Sequence, residues 1–187
     1  MRDCRNDGSA RALPAWRREI DMKIVTGEMI AELLARAAMS PRKRLNLNLH
    51  TELSDPTNRF VNAGVAGTYV RPHRHRIDKW ELLNALQGRL DVVTFASSGA
   101  VKGRFAIGLG GPSLIEIPGD EWHSFVFHPP AAVVLEVKPG PYEPQLDKEF
   151  ADWAPEEGAP AAASFLTWLE NAPPGGIWGG EWQMPRQ

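Results

Sequence analysis

Hydrophobic and polar residues alternate strictly from residue 44 to residue 50. The apolar positions are all leucine, and the other positions are all polar: Leu45, Leu47 and Leu49 against Arg44, Asn46, Asn48 and His50. Alternation with a period of two predicts a strand with one buried face. The polar face then either contacts solvent or lines the inside of a barrel that has a ligand cavity.

A different period precedes this strand. Apolar residues between Glu28 and Ala37 recur every three or four positions, which predicts an amphipathic helix. The side chain of Thr26 can cap its first turn, and Ser40-Pro41 ends it. Its stripe of Met and Leu side chains is typical of core packing.

Short apolar segments follow for the next ninety residues and predict further strands. They are residues 59–63, 67–70, 80–86, 89–95, 103–109, 113–117, 123–127 and 132–138. Glycine and proline separate nearly all of them, as at Ser98-Gly99 and Pro129-Pro130. This spacing indicates an antiparallel sandwich or barrel and argues against a parallel α/β sheet. A second, short helix is predicted for residues 161–171.

The length of the chain fits one domain. Of its 187 residues 43% are hydrophobic, which suffices for the core of a single unit of about 150 residues. We predict a mobile tail over residues 1–21, one domain over residues 22–171 and a C-terminal tail over residues 172–187. Met22 is a candidate alternative start, and the two tryptophans of the last segment are interpreted as packing anchors.

Charge and cysteine content exclude several classes of partner. A net charge of −2 and a pI near 6.2 provide no basic surface for nucleic acid. The single cysteine, Cys4, cannot form an internal disulfide. No segment resembles a signal peptide or reaches the length of a membrane span. We therefore expect a cytoplasmic protein without a membrane partner.

Histidines provide the most informative pattern. His73 and His75 are two positions apart, so in a strand their imidazoles project to one face, about 6.6 Å apart, and can bind one ion. Glu81 and His123 are candidates for completing the set of ligands. Imidazole and carboxylate suit first-row divalent metals and leave positions for water, oxygen or a substrate. Alternatively, the histidines are structural and the interior is empty.

The segments that carry these residues resemble the two cupin motifs. The first motif extends from Gly67 to Gly88, and the second extends from Pro118 to His123. From about Ser40 to Trp168 the chain is similar to the WbuC-type cupin-fold metalloproteins. Six segments carry this similarity: Ser40-Pro41-Arg42, Asn48-Leu49-His50, Arg71-Pro72-His73-Arg74-His75, Lys79-Trp80-Glu81, Val137-Lys138-Pro139-Gly140-Pro141-Tyr142 and Trp153-Ala154-Pro155-Glu156-Glu157-Gly158.

The resemblance implies a mostly β fold, namely a single cupin domain (a jelly-roll β-barrel) with an N-terminal helix and a short C-terminal helix. It also implies one divalent transition metal (Fe, Mn, Ni or Zn), held by His73, His75, Glu81 and His123. Two features depart from the general cupin pattern. Five residues separate His75 from Glu81, where most cupins have three or four, so a bulge or a longer turn must absorb the difference. In addition, Asp120 stands where glycine usually lies.

Two cations share the strand parity of the ligands. Arg71 is in step with the first two histidines, and Lys79 is in step with Glu81. Either cation could bind a carboxylate or phosphate of a substrate. The alternative is that both are solvated charges at the rim of the site.

Other candidates depend on the direction of the strand faces. If the polar face of residues 44–50 is internal, Asn48 and His50 join the substrate site, and His50 is the best titrating group beyond the ligands. Tyr69 provides either packing or a hydroxyl group. Phe125 and Phe127, in step with the histidine of the second motif, are expected to form an apolar wall.

Two classes of function are compatible with this site. The first is a metal-dependent enzyme, an isomerase, epimerase or dioxygenase, that acts on a small sugar-like or carboxylated metabolite. Relatives occur with bacterial surface-polysaccharide genes, so the resemblance implies a link to that metabolism. The second is a non-catalytic metallo-cupin that binds or senses a ligand. Self-association through sheets is common in this fold, so we expect a homodimer.

Overall fold

The structure is a computed structural model that describes residues 22–145 and 147–179. The predicted tail over residues 1–21, with Cys4, lies outside the described residues, as does Trp182. The described residues form two helices and ten strands, which are α1 (Gly27–Met39), β1 (Arg44–Asn48), β2 (Thr57–Val65), β3 (His73–Arg74), β4 (Glu81–Gln87), β5 (Arg89–Phe95), β6 (Val101–Gly108), β7 (Leu114–Ile117), β8 (Trp122–Phe127), β9 (Ala131–Pro139), β10 (Glu149–Phe150) and α2 (Ala162–Asn171).

The strands form two five-stranded antiparallel sheets. Sheet A has the order β1-β2-β9-β4-β7, and sheet B has the order β10-β3-β8-β5-β6. Strands β2 to β9 thus form two four-stranded halves with the strand order of a jelly roll, and β1 and β10 extend one edge of each half. The prediction of a mostly β jelly roll with two flanking helices is confirmed. Within the described ranges the two sheets do not close into a barrel.

Each sheet packs a helix against its outer face. Helix α1 covers sheet A, where Leu33 and Ala37 pack on Val61 and Val133. Helix α2 covers sheet B through a cluster that includes Phe165. A third apolar cluster, which includes Leu83, Val92 and Phe127, fills one part of the space between the sheets. The remainder of that space is polar and contains the candidate site.

Helix α1 forms as the sequence predicts. Thr26 is its N-cap, with extended backbone, and its hydroxyl oxygen accepts a hydrogen bond of 3.3 Å from the Met29 N–H. The helix ends at Met39, and the backbone of Ser40 is extended before Pro41. No helix in the described ranges is long and apolar enough to span a membrane.

The alternating strand β1 shows which of its faces is internal. Leu45, Leu47 and Leu49 pack with α1 on the outside of sheet A. The polar residues of β1 therefore project from the opposite face, toward sheet B. Asn46 and Asn48 on this face are nevertheless exposed, since β1 is the edge strand of sheet A, so the face lies on the inner side of the sheet and also contacts solvent.

Two segments differ from the predictions. Residues 67–70 form no strand, because the chain turns after Val65 and crosses from sheet A to sheet B. Conversely, β10 was not predicted, because a two-residue strand is too short to show an alternating pattern, yet it pairs with β3. After α2, Trp178 packs against Phe165, with ring centroids 5.5 Å apart, as expected of a packing anchor.

The tight turn between β4 and β5 requires glycine. Gly88 has a φ of +73°, and a Cβ at this position would lie 2.1 Å from the carbonyl oxygen of Ala131. We expect Gly88→Ala to lower the free energy of unfolding by about 3 kcal/mol, which urea denaturation would measure. Gly110 is the matched control, since it has a φ of +81° and no atom within 4 Å of an added Cβ. Gly110→Ala should cost only about 1 kcal/mol, and equal losses in both variants would contradict the steric explanation.

Candidate metal centre

The four predicted ligands converge between the sheets. His73, His75, Glu81 and His123 each offer a ligand atom, and these atoms all lie within 4.8 Å of one another. All four residues are buried, with exposures between 1% and 4%. The cluster fits a divalent-metal site with three imidazoles and one carboxylate.

Strand pairing explains why residues so far apart in sequence meet. His73 on β3 is directly opposite His123 on β8 in sheet B, and Glu81 begins β4 in the facing sheet A. A turn over residues 76–80, closed by a 2.8 Å hydrogen bond from the Lys79 N–H to the Arg76 carbonyl, carries the chain between the sheets. This longer turn absorbs the unusual spacing between His75 and Glu81.

The departure at Asp120 also has a structural reason. Asp120 has a φ of +67°, in the left-handed region where glycine is favoured and aspartate is tolerated. Its N–H donates to the carbonyl of His75 at 2.9 Å, and its carboxylate pairs with Arg74, also at 2.9 Å. Asp120 therefore keeps the backbone conformation of the motif and adds an ion pair beside the first two histidines.

Backbone carbonyls determine the tautomer of each imidazole. The Nδ1 atom of His73 lies 3.0 Å from the carbonyl oxygen of Arg71, and that of His123 lies 2.9 Å from the carbonyl oxygen of Glu121. The Nδ1 atom of His75 contacts the carbonyl oxygen of Asp147 in the same way. A carbonyl oxygen only accepts, so each Nδ1 carries the proton. The three Nε2 atoms are then free to bind a metal with their lone pairs.

Those lone pairs face a carboxylate. The Nε2 atom of His75 lies 2.9 Å from Oε1 of Glu81, and the Nε2 atom of His123 lies 3.0 Å from Oε2. With the proton on Nδ1, these are contacts between two acceptors. Both Nε2 atoms and Oε2 are buried without a hydrogen-bond partner. Buried polar atoms without partners are costly, and a cation between them satisfies all of them.

The electrostatics favour the ligand forms of these side chains. Burial, and then the charge of Lys148, lower the pKa of His73 well below its usual value, so this imidazole is neutral at pH 7. Burial alone would raise the pKa of Glu81. The positive charge of Lys138, 3.4 Å away, acts against burial, lowers the pKa of Glu81 and favours its carboxylate form. Glu81 is therefore ionised.

A buried lysine lies behind the carboxylate ligand. The Nζ atom of Lys138 lies 3.4 Å from Glu81, 3.4 Å from Glu136 and 3.2 Å from Asp147. Burial opposes its charge, but Glu136, Glu81 and Asp147 together raise the pKa of Lys138. Burial and the charge of Glu81 raise the pKa of Glu136. Lys138 thus holds Glu81 in place and balances the negative charge around it.

Sequence reasoning missed Glu136, Lys138 and Asp147 as parts of this site. A signal was present, because Glu136 and Lys138 occupy alternate positions of the otherwise apolar strand β9. Two charges at this spacing on a buried strand point to one internal polar face. The partner that explains them, Glu81, is more than fifty residues away in sequence.

The two predicted anion-binding cations already have partners in the protein. Arg71 donates to the carbonyl of Ala151 at 2.7 Å and lies 3.6 Å from Glu156. Lys79 donates to the carbonyls of Pro139 and Pro141, both at 3.1 Å. Both side chains stabilise loops at the edge of the site in this conformation.

The remaining predicted substrate residues lie at different depths. Asn48 is exposed on the inner face of β1, and its side-chain oxygen accepts from Asn46 at 2.6 Å. His50 is buried, and its Nδ1 accepts from the N–H of Arg59. Tyr69 packs under α2 and donates its hydroxyl to the carbonyl of Pro155 at 2.7 Å. As expected of an apolar wall, Phe125 packs 5.4 Å from the ring of His123.

Comparison with sequence families gives one match. Residues 25–107 match the model of a domain of unknown function, DUF6016. The matched region includes α1 and the first three candidate ligands, and it ends before His123. No curated protein is similar in sequence.

Cupin proteins are among the solved structures to which the chain is similar. The L-ribose isomerase of Cellulomonas parahominis is 16% identical, with a TM-score of 0.48, over 65% of this chain and 71% of the isomerase. A cupin-superfamily protein of Desulfitobacterium hafniense DCB-2 is 14% identical, with a TM-score of 0.40, over 51% of this chain and 76% of that protein.

The cupin domain of Schizosaccharomyces pombe Cnp3 is 15% identical, with a TM-score of 0.41, over 52% of this chain. The match spans 64% of that domain's length. At these identities and TM-scores, the activity or ligands of these proteins cannot be assigned to this chain. The fold follows from the strand order of the two sheets, and the site follows from its own geometry.

Proposed function

We propose that this protein is a metal-dependent enzyme of the cupin type that acts on a small polar metabolite. The observation that carries the proposal is the set of three imidazoles whose Nδ1–H groups all donate to backbone carbonyls. That arrangement directs the Nε2 lone pairs of His75 and His123 at the carboxylate of Glu81 and leaves the Nε2 of His73 free to bind an ion in the same cluster. Such a preorganised set of acceptors is suited to one divalent cation.

The proposed roles of the residues follow from their contacts. His73, His75, Glu81 and His123 would hold the metal, which supplies Lewis-acid chemistry, or oxygen activation if it is iron. Lys138 keeps Glu81 ionised and oriented. Phe125 and Phe127 exclude water from the sheet B side of the centre, which strengthens the electrostatic interactions within it.

The finer assignment rests on the resemblance between residues 40 and 168 and the WbuC-type proteins. Within this proposal the protein is cytoplasmic, forms a homodimer and contributes to surface-polysaccharide metabolism as an isomerase, epimerase or dioxygenase. Gel filtration with light scattering tests the dimer directly, since a monomer at micromolar concentration would contradict it.

A non-catalytic metallo-cupin is the second candidate, and one observation favours it. The Nε2 atoms of His75 and His123 are fully buried, and none of the four candidate ligands is more than 4% exposed. A cation enclosed in this way could serve a binding or sensing module that has no turnover.

Water exchange at the centre separates the two candidates. We expect the protein loaded with Mn²⁺ to enhance the relaxation rate of water protons several-fold relative to the metal-free protein, because an enzyme keeps at least one labile position. His50→Ala, which changes a buried histidine outside the cluster, should show the same enhancement. Bound Mn²⁺ without any enhancement would refute the enzyme and support the closed module.

A further inference from the structure

We propose that Lys148 recognises the carboxylate of a hydroxy acid bound at the metal centre, and that Glu136 and Asn62 of the facing sheet hydrogen-bond its hydroxyl groups. The inference rests on the proposed function, because it names the substrate class of the same site. Lys148 takes the role that the sequence suggested for Arg71 or Lys79.

Strand register places Lys148 beside the ligands. Phe150 pairs with His73, and Glu149 pairs with Arg74. Continuing this antiparallel register by one residue sets Lys148 across from His75, on the face of sheet B that carries the candidate ligands. Lys148 and His75 also line one depression of about 240 Å³ at the surface. The side chain is half-buried, and the Phe150 ring, which its Nζ approaches, lies 6.1 Å from the ring of His73.

Lys148 differs from its cationic neighbours in having no ion pair among the described residues. Arg74 pairs with Asp120 at 2.9 Å and Glu149 at 2.8 Å, and Arg76 pairs with Asp78 at 3.1 Å. The Nζ atom of Lys148 instead lies 6.0 Å from the ring centroid of Phe150, which is 47% exposed. A half-buried ammonium without a carboxylate partner is suited to an anionic ligand.

The inner face of sheet A supplies hydrogen-bonding groups near the candidate ligands. Gly64 faces the ring of Phe127 in sheet B, so its side of β2 is the inner face of sheet A. Asn62 lies two positions away on the same face. Glu136 lies on this face too, because it pairs with Phe60, which shares the parity of Asn62. The side-chain amide of Asn62 donates to Glu136 at 2.5 Å. The second amide hydrogen, the amide oxygen and the remaining carboxylate lone pairs stay available for hydroxyl groups. The side chain of Glu136 is 13% exposed.

The charge of Lys148 also acts on Glu136. Burial and the charge of Glu81 raise the pKa of Glu136, and Lys148 is among the positive charges that oppose this rise. The Nζ atom of Lys138 lies 3.4 Å from both Glu81 and Glu136, so Glu136 lies beside the candidate ligands on sheet A, as Lys148 does on sheet B. One ammonium matches a single carboxylate, whereas a dianionic phosphate is usually held by several cations. Together, Lys148 on the sheet B side and Asn62 and Glu136 on sheet A are suited to a ligand that carries a carboxylate with neighbouring hydroxyl groups.

Calorimetric titration with paired probes tests the inference. The metal-loaded protein is titrated with D-erythronate, D-ribonate and D-gluconate, each beside its matching aldose, and with D-ribose 5-phosphate. Metal content is measured on the same samples. We expect at least one aldonate to bind about tenfold more tightly than its aldose, with Lys148→Met removing the difference. Lys148→Arg should retain most of it.

Arg76→Met is the matched control, because it removes a positive charge from the same depression but leaves Lys148 in place. It should change aldonate affinity by less than about twofold. Equal affinities for aldonates and aldoses, equal losses in Lys148→Met and Arg76→Met, or tighter binding of the phosphate would each overturn the inference. A sample that contains no metal would refute the proposed function instead. If that metal-free sample still binds the aldonate more tightly than the aldose, and Lys148→Met removes the difference, the inference about Lys148 stands without the metal.

Discussion

Replacing His123 with alanine is expected to lower the affinity for the metal by at least about 100-fold. Removing a residue that only hydrogen-bonds a metal ligand already lowers the metal affinity by about 10–100-fold, and this substitution removes a ligand itself. It also leaves Oε2 of Glu81 without the imidazole that lies 3.0 Å away. Competition with a chromophoric chelator would measure the change, using wild type and variant loaded with the same ion.

His50→Ala is the control for this substitution. His50 is also a buried histidine, at 5% exposure, but its Nδ1 accepts a backbone hydrogen bond and it lies outside the cluster. Its variant should therefore lose some stability and retain the metal. A His123→Ala protein with wild-type affinity would contradict the four-ligand site, as would equal losses of affinity in the two variants.

Lys138→Met is expected to lower the free energy of unfolding of the metal-free protein by about 3–5 kcal/mol. Removing one member of a buried ionic cluster leaves uncompensated charge, which is far more costly than losing an exposed pair. Here the side chain is 5% exposed, and its single positive charge lies within 3.4 Å of Glu81, Glu136 and Asp147. Urea denaturation of the metal-free proteins would measure the difference.

An exposed lysine provides the comparison. Lys102 contacts Glu121 at 2.7 Å and 2.8 Å, but its side chain is 52% exposed. Lys102→Met should cost less than about 1 kcal/mol despite its shorter contacts. If both variants lose equally little, Lys138 does not balance the charge of this centre, and the role assigned to it is wrong.

Local patterns in the sequence predicted the elements that local physics determines. The three-to-four spacing after Thr26 predicted α1, and the alternation of leucines predicted β1. The spacing of His73 and His75, together with the resemblance to cupins, predicted the cluster that the fold assembles. In each case, the residues whose pattern made the prediction are the residues that form the element or the cluster.

Features that depend on pairing between distant strands could not be predicted in this way. The polar face of β1 points to the inner side of sheet A because α1 covers the opposite face, and the alternation alone does not show on which side a helix packs. Lys138 meets Glu81 only because β9 pairs with β4. Lys148 precedes a two-residue strand whose position depends entirely on its pairing with β3.

The most direct test of the central claim is the metal content of the wild-type protein, purified without a metal-affinity column and measured by elemental analysis. We expect one equivalent of a divalent transition metal per chain, as purified or after anaerobic reconstitution. Its identity would distinguish oxygen chemistry from Lewis-acid chemistry. A protein that binds no such metal after reconstitution would contradict the account and leave three histidines and a glutamate as a structural cluster.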